Sequence, residues 1–228
     1  MKTMINGLGN KIKGRTINMS GNPLEKALKF KNFLDDSGLP KVANARDYLS
    51  LGKNDLPLFM MITSTYVLPT EELISTLDEL IEPESNAIEI CCGNGVIGRE
   101  LNMPLTDSKI QQKDSKIRNE YIRLGNPPVN YPDDVEELEA LAAAEKYHPD
   151  TILSCFGTHL WKSGMKSGFI YGVDYEKLWT MTNRIILVGN DRVHGENPLM
   201  KRKHREIQKW GIISRTEGIP TKIYIWER

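Results

Sequence analysis

Residues 87–102, AIEICCGNGVIGRELN, constrain the fold more than any other stretch of the chain. Four alternating residues and a cysteine read as a buried strand, followed by Gly93, Gly95 and Gly98 at G-x-G-x-x-G spacing and then by VIGRELN, a predicted short helix. A strand that turns through glycines into a helix belongs in a parallel βαβ unit. In such a unit Gly93 permits the tight turn, Gly95 lets a ligand approach the backbone, and Gly98 lets helix and strand pack closely. The alternative is a glycine-rich turn without a ligand.

The rest of the chain fits around that unit. The segment PTEELISTLDELIEP predicts a helix that starts at Pro69 and Thr70, carries Leu73, Ile74, Leu77, Leu80 and Ile81 on one face, and stops before Pro83. MPLTDS is read as the second strand and NPPVNYPDD as holding a short third, with VEELEALAAAEKYHP as the clearest helix. DTILSCFGTH is a fourth strand, YEKLWTM a helix and NRIILVGND a fifth strand, while WGIISR and KIYIWER predict a closing hairpin around TEGIPT. Alternation of this kind predicts an α/β fold: a Rossmann-like, mostly parallel sheet with helices on both faces and a C-terminal antiparallel hairpin. Residues 1–65 are expected to be a helical and irregular N-terminal extension, with weak helices in PLEKALKFKNFL and VANARDYLSL, and 66–228 the main domain.

Composition matters here for what it excludes. Thirty basic and thirty acidic residues cancel, so no whole-molecule field argues for nucleic acid or an anionic membrane. Three cysteines, two of them adjacent in one strand, are not a disulfide framework, and the four histidines lack zinc-site spacing, so no structural metal is expected. No apolar run approaches the roughly 20 residues of a membrane helix, and the first residues lack the apolar core of a secretory signal. A reducing cytoplasm is the expected compartment.

Charge bears on the ligand. Glu89 stands on the strand just before the turn, where it repels a pyrophosphate and attracts the ammonium and sulfonium of S-adenosylmethionine. Asp107, fourteen residues after Gly93, comes earlier than the ribose-binding acid of a dinucleotide site, expected about 20 residues further on; otherwise it reads as a helix cap or turn residue. IEICCGNGVIG resembles motif I of the class I S-adenosylmethionine-dependent methyltransferases, acid-x-Gly-x-Gly-x-Gly, with Glu89 as the acid and Cys91 in place of the first glycine. Over residues 66–228 the resemblance implies a cofactor set of Glu89, Cys91, Gly93, Asn94 and Gly95 at the methionyl side. It also implies Asp107 at the ribose, Asp134 (or Asp133) after strand three at the adenine, and Phe156 after strand four.

Methyl transfer from a sulfonium needs positioning more than a catalytic dyad. The candidate base is His159 after strand four, which otherwise reads as a histidine hydrogen-bonded within its loop. NPPV at 126–129 is read as a plain proline-rich turn, because an acceptor-binding loop of that composition belongs after strand four and Val129 has no ring to stack. Lys201, Arg202, Lys203 and Arg205 form a local basic run with Trp210 nearby, able to meet nucleic-acid phosphates or simply to be a solvated loop. The expected activity is methyl transfer to nucleic acid or a small molecule. A non-catalytic binding or regulatory module and a dinucleotide-dependent oxidoreductase are the competing readings.

Overall fold

Apolar residues dominate β1 (Ala87–Ile90), β4 (Thr151–Cys155), β5 (Arg184–Gly189) and β7 (Lys222–Glu227), and both faces of these strands are covered. The computed structural model describes residues 28–123, 127–216 and 218–228. With β2 (Leu105–Asp107), β3 (Val135–Glu137) and β6 (Arg205–Ile207), these strands form one seven-stranded sheet in the order β3-β2-β1-β4-β5-β7-β6. The first five strands are parallel, and β7 lies antiparallel between β5 and β6. An all-parallel dinucleotide sheet runs 3-2-1-4-5-6; here an antiparallel strand is inserted into a Rossmann-like, mostly parallel sheet.

Each face has its own core. On one, Ile88, Ile90, Ile152, Ile185, Leu187, Tyr224 and Trp226 pack against α6 (Ala140–Tyr147), α7 (Tyr175–Trp179) and Leu199. On the other, Leu153, Ile186, Val188, Ile223 and Ile225 meet Leu73 and Leu77 of α3 (Glu71–Leu80) and the Val96–Met103 segment. Burying each such side chain contributes about 1.5–3 kcal/mol. The Thr70 hydroxyl caps α3 by accepting from the Leu73 amide, as the sequence pattern predicts. A third cluster gathers Phe30, Tyr48, Leu51, Leu58, Phe59, Met60 and Leu68 around α1 (Ala45–Leu49) and α2 (Gly52–Ile62). Of the first expected helix only residues 28–31 are described as helical; residues 1–27 lie outside the described part.

Four local expectations are corrected. VIGRELN forms successive turns rather than an α-helix: the Gly98 amide is taken by the Glu89 carboxylate, and Asn102 is left-handed at φ +53°. Val135–Glu137, expected to open a helix, is β3, so Asp133 and Asp134 precede this strand instead of following it. Between β2 and β3 lie α4 (Ile110–Lys113) and α5 (Ser115–Arg123), which apolar periodicity did not announce because neither has a buried residue. The partner of β7 is β6, not WGIISR. That segment runs instead beside residues 66–68, with the Leu68 amide donating to Ile213 and the Arg215 amide to Tyr66.

Gly98 shows why the turn needs its last glycine: a Cβ there would lie 2.6 Å from Glu89 Oε2 and 2.7 Å from Leu105 Cδ2. Gly98→Ala is expected to lower the unfolding free energy by about 1–3 kcal/mol, the usual penalty of overpacking, measured by urea denaturation.

Candidate functional site

The turn sits at the carboxyl edge of the sheet, where β1 and β4 diverge to opposite neighbours. Ligands of open α/β sheets bind at such a switch point. Cys91, in the place of the first motif glycine, has φ +51°, so the left-handed backbone that favours glycine is kept with a side chain on it. Gly93 and Gly95 are also left-handed, at φ +59° and +72°.

Two carboxylates fix this loop. Glu89, 1% exposed, points into the layer beneath the turn, accepts from the Gly98 amide at 2.9 Å and faces the Cys155 thiol. Burial pushes its carboxyl up to about 7, against the lowering pull of that amide and thiol. Expected to touch a ligand, Glu89 instead props the loop from inside. Asp107, at the end of β2 and 9% exposed, accepts from the Gly93 amide at 3.0 Å through one oxygen and from the Lys109 amide at 2.9 Å through the other. Burial raises its carboxyl, while these amides and the facing Tyr131 hydroxyl work in the other direction.

The remaining residues separate into those at the edge and those away from it. Asn94 is buried, and its Nδ2 donates to the Thr63 carbonyl at 3.1 Å and the Thr65 hydroxyl at 2.9 Å, so its carboxamide anchors the turn. A Cβ on Gly95 would meet Leu105 Cδ1 at 2.7 Å, which makes this glycine a packing requirement rather than an opening for a ligand. Phe156, left-handed at φ +63°, stacks beside Tyr66 with centroids 6.4 Å apart and meets His194 edge-on at 5.5 Å. Arg215 lies over the other ring of this wall, 4.0 Å from the Tyr66 centroid.

Asp134 stands at the amino end of β3, where Arg99 holds it through two 2.8 Å hydrogen bonds and lowers its carboxyl below the usual range. It is therefore placed away from the carboxyl edge. An open cleft of about 430 Å³, lined by Ser108, Ile110, Lys113, Asp114 and Glu139, lies there instead, beyond β2 and β3.

His159 is fully buried, its ring nitrogens make no well-formed hydrogen bond although the Ser167 backbone faces it, and burial lowers its pKa. A histidine sealed in this way is not placed to take a proton from an acceptor. Arg205 of the basic run is also displaced from the turn. Arg205 pairs in register with Ile225, midway along β7, while the carboxyl edge is marked by Lys222 opposite Gly189. Arg205 itself lies 4.0 Å from Glu227 at the far end of β7.

Tyr66, Tyr131, Arg215 and Ser64 went unnoticed in the sequence. Their partners are tens of residues away or more, beyond any local period.

No protein-family model and no curated protein matches the chain. Among solved structures it is similar to the crystal structure of the 23S rRNA methyltransferase ErmE, at 10% sequence identity and a TM-score of 0.36, covering 69% of this chain and 68% of that one. The likeness is coarse. Among the described residues no helix is long and apolar enough to cross a membrane.

Buried groups give the protein two opposing pH responses. His194, fully buried, has its pKa lowered by burial to about 4, so it costs stability as pH falls from 6.5 toward 4. Glu89, raised by burial to about 7, takes up its proton in the folded protein first and adds stability as pH falls from 7 toward 4.5. Between pH 6.5 and 4.5 the two slopes offset each other. Glu89→Gln is therefore expected to lose stability with falling pH more steeply than wild type in that window, by about 1.4 kcal/mol per pH unit, read from denaturation midpoints across the range.

Proposed function

We propose that this protein is an S-adenosylmethionine-dependent methyltransferase. The observation that carries the reading is the joining of the glycine turn to the acid of β2: Gly93 donates to Asp107 at the switch point of a sheet with an inserted antiparallel strand. When bound, S-adenosylmethionine supplies a methyl group already activated by its sulfonium. The residues present fit it: a carboxylate at the rim of the edge, left-handed turn residues, and an open cleft beyond β2 and β3.

Asp107 would hold the ribose hydroxyls in exchange for its contact to Tyr131, and Ser108, Ile110 and Glu139 of the cleft would take the adenine. The turn backbone of Cys91, Gly93 and Asn94 bounds the methionyl side, and Glu89 supports it from beneath. Tyr66 and Phe156 wall the acceptor side, exclude water and orient the acceptor for in-line attack. Rate then comes from alignment, without a proton transfer to His159. The acceptor is a nucleic acid or a small molecule, and Arg205 of the basic run lies away from this edge, beside Glu227.

Two observations favour a binding module without turnover: Val129 faces Gly93, and both Asp107 oxygens are already engaged. Calorimetric titration with S-adenosylmethionine, S-adenosylhomocysteine and NADH separates the readings. Binding of the first two alone is expected. Asp107→Asn should weaken it by about tenfold or more, since hydrogen bonds to a charged group contribute about 1.5–3 kcal/mol, while Lys203→Ala leaves it unchanged. NADH binding alone would return the site to dinucleotide chemistry, and no binding at all would leave the non-catalytic module.

A further inference from the structure

Three segments far apart in sequence meet over the glycine turn. Residues 127–131, PPVNY, cross it as irregular backbone. Val129 is buried, with Cγ1 3.9 Å from where a Cβ on Gly93 would stand, so its side chain faces the open side of that glycine. Two residues on, the Tyr131 phenol faces the Asp107 carboxyl, presenting a hydroxyl to the acid that would otherwise receive one from a sugar. The segment thus offers the turn an apolar plug and a hydroxyl at once.

Few bonds hold it down. The Ser64 hydroxyl is within reach of the Pro127 and Pro128 carbonyls, at 3.3 and 3.0 Å, and the Val129 amide donates to the Gln111 side chain at 3.2 Å. The prolines have no N–H to add, and the segment pairs with no strand of the sheet. The residues flanking Ser64 hold the turn as well, because Asn94 donates to the Thr63 carbonyl and the Thr65 hydroxyl. Turn and strap therefore hang from one three-residue peg at the end of α2, whose Ser64 is left-handed at φ +53°.

We propose that residues 127–131 are a displaceable strap occupying the ribose side of the turn, latched by Ser64, so that strap closure and binding of an adenine nucleoside ligand exclude one another. This rests on the S-adenosyl reading above. An affinity measured on the latched protein is reduced by the fraction of molecules that are open. Loosening the strap should therefore tighten binding, which a purely structural segment would not do.

The test uses S-adenosylhomocysteine with wild type, Ser64→Ala and Val129→Ala, each checked for folding by circular dichroism. Calorimetry gives affinity, and hydrogen exchange follows the amides of Val129, Asn130 and Tyr131. Expected are affinities about threefold to tenfold higher in both variants, the change set by the open fraction, and loss of protection at 129–131 when the ligand binds wild type. Binding to the variants alone would support the strap in its strongest form. Equal or weaker affinity in folded variants, or protection at 129–131 that rises with ligand, would overturn the strap and leave the methyl-donor reading standing. No binding by wild type or by either loosened variant would overturn both.

Discussion

Everything at the carboxyl edge depends on a carboxylate that no solvent reaches. Glu89 replaces the carbonyl that would otherwise receive the Gly98 amide, so the chain leaving β1 is held by a side chain beneath it. The cost of burying that carboxyl is expressed in its raised pKa. The return is geometric: with Gly98 held against β1 and Leu105 of β2 packed under Gly95 and Gly98, the loop between them is set from below. Asp107 then fixes it from the side through Gly93, and Asn94 ties it to the residues after α2. Among the described residues, Val129 of the strap is what a Cβ on Gly93 would meet.

This division explains why the same loop bears on both readings of function. Supports from below and beside are many and buried, whereas among the described residues the contacts from above are few and include a valine side chain facing Gly93. A site filled permanently by its own chain would be expected to receive better hydrogen bonds than a serine hydroxyl shared between two carbonyls, one long amide bond to Gln111 and a phenol facing Asp107. The weakness lies where a ligand would need it.

Much of the sheet was legible because long apolar strands advertise themselves: β1, β4, β5 and β7 stand where alternation and β-branched residues put them. β3 was not, since its three residues include two glutamates and merge with the amphipathic pattern of α6. β6 was hidden for the opposite reason. It is an edge strand, charged at Arg205 and Glu206 as edges commonly are, and so resembles a loop. At the site, Asp107 and the turn followed from spacing along one βαβ unit. Asp134 was misplaced once its strand was, and His159 was misjudged because burial cannot be read from residue type.

The inserted strand has a consequence for how the chain reaches this fold. β5 is paired on one side by β4 and on the other by residues 222–227, and β6, though earlier in sequence, pairs among the described residues with β7 alone. During synthesis, therefore, β5 emerges with an open apolar edge, and β6 waits unpaired until the strand that separates them arrives. Sheet closure is a late event, and for that interval the nascent chain exposes the kind of edge that invites aggregation.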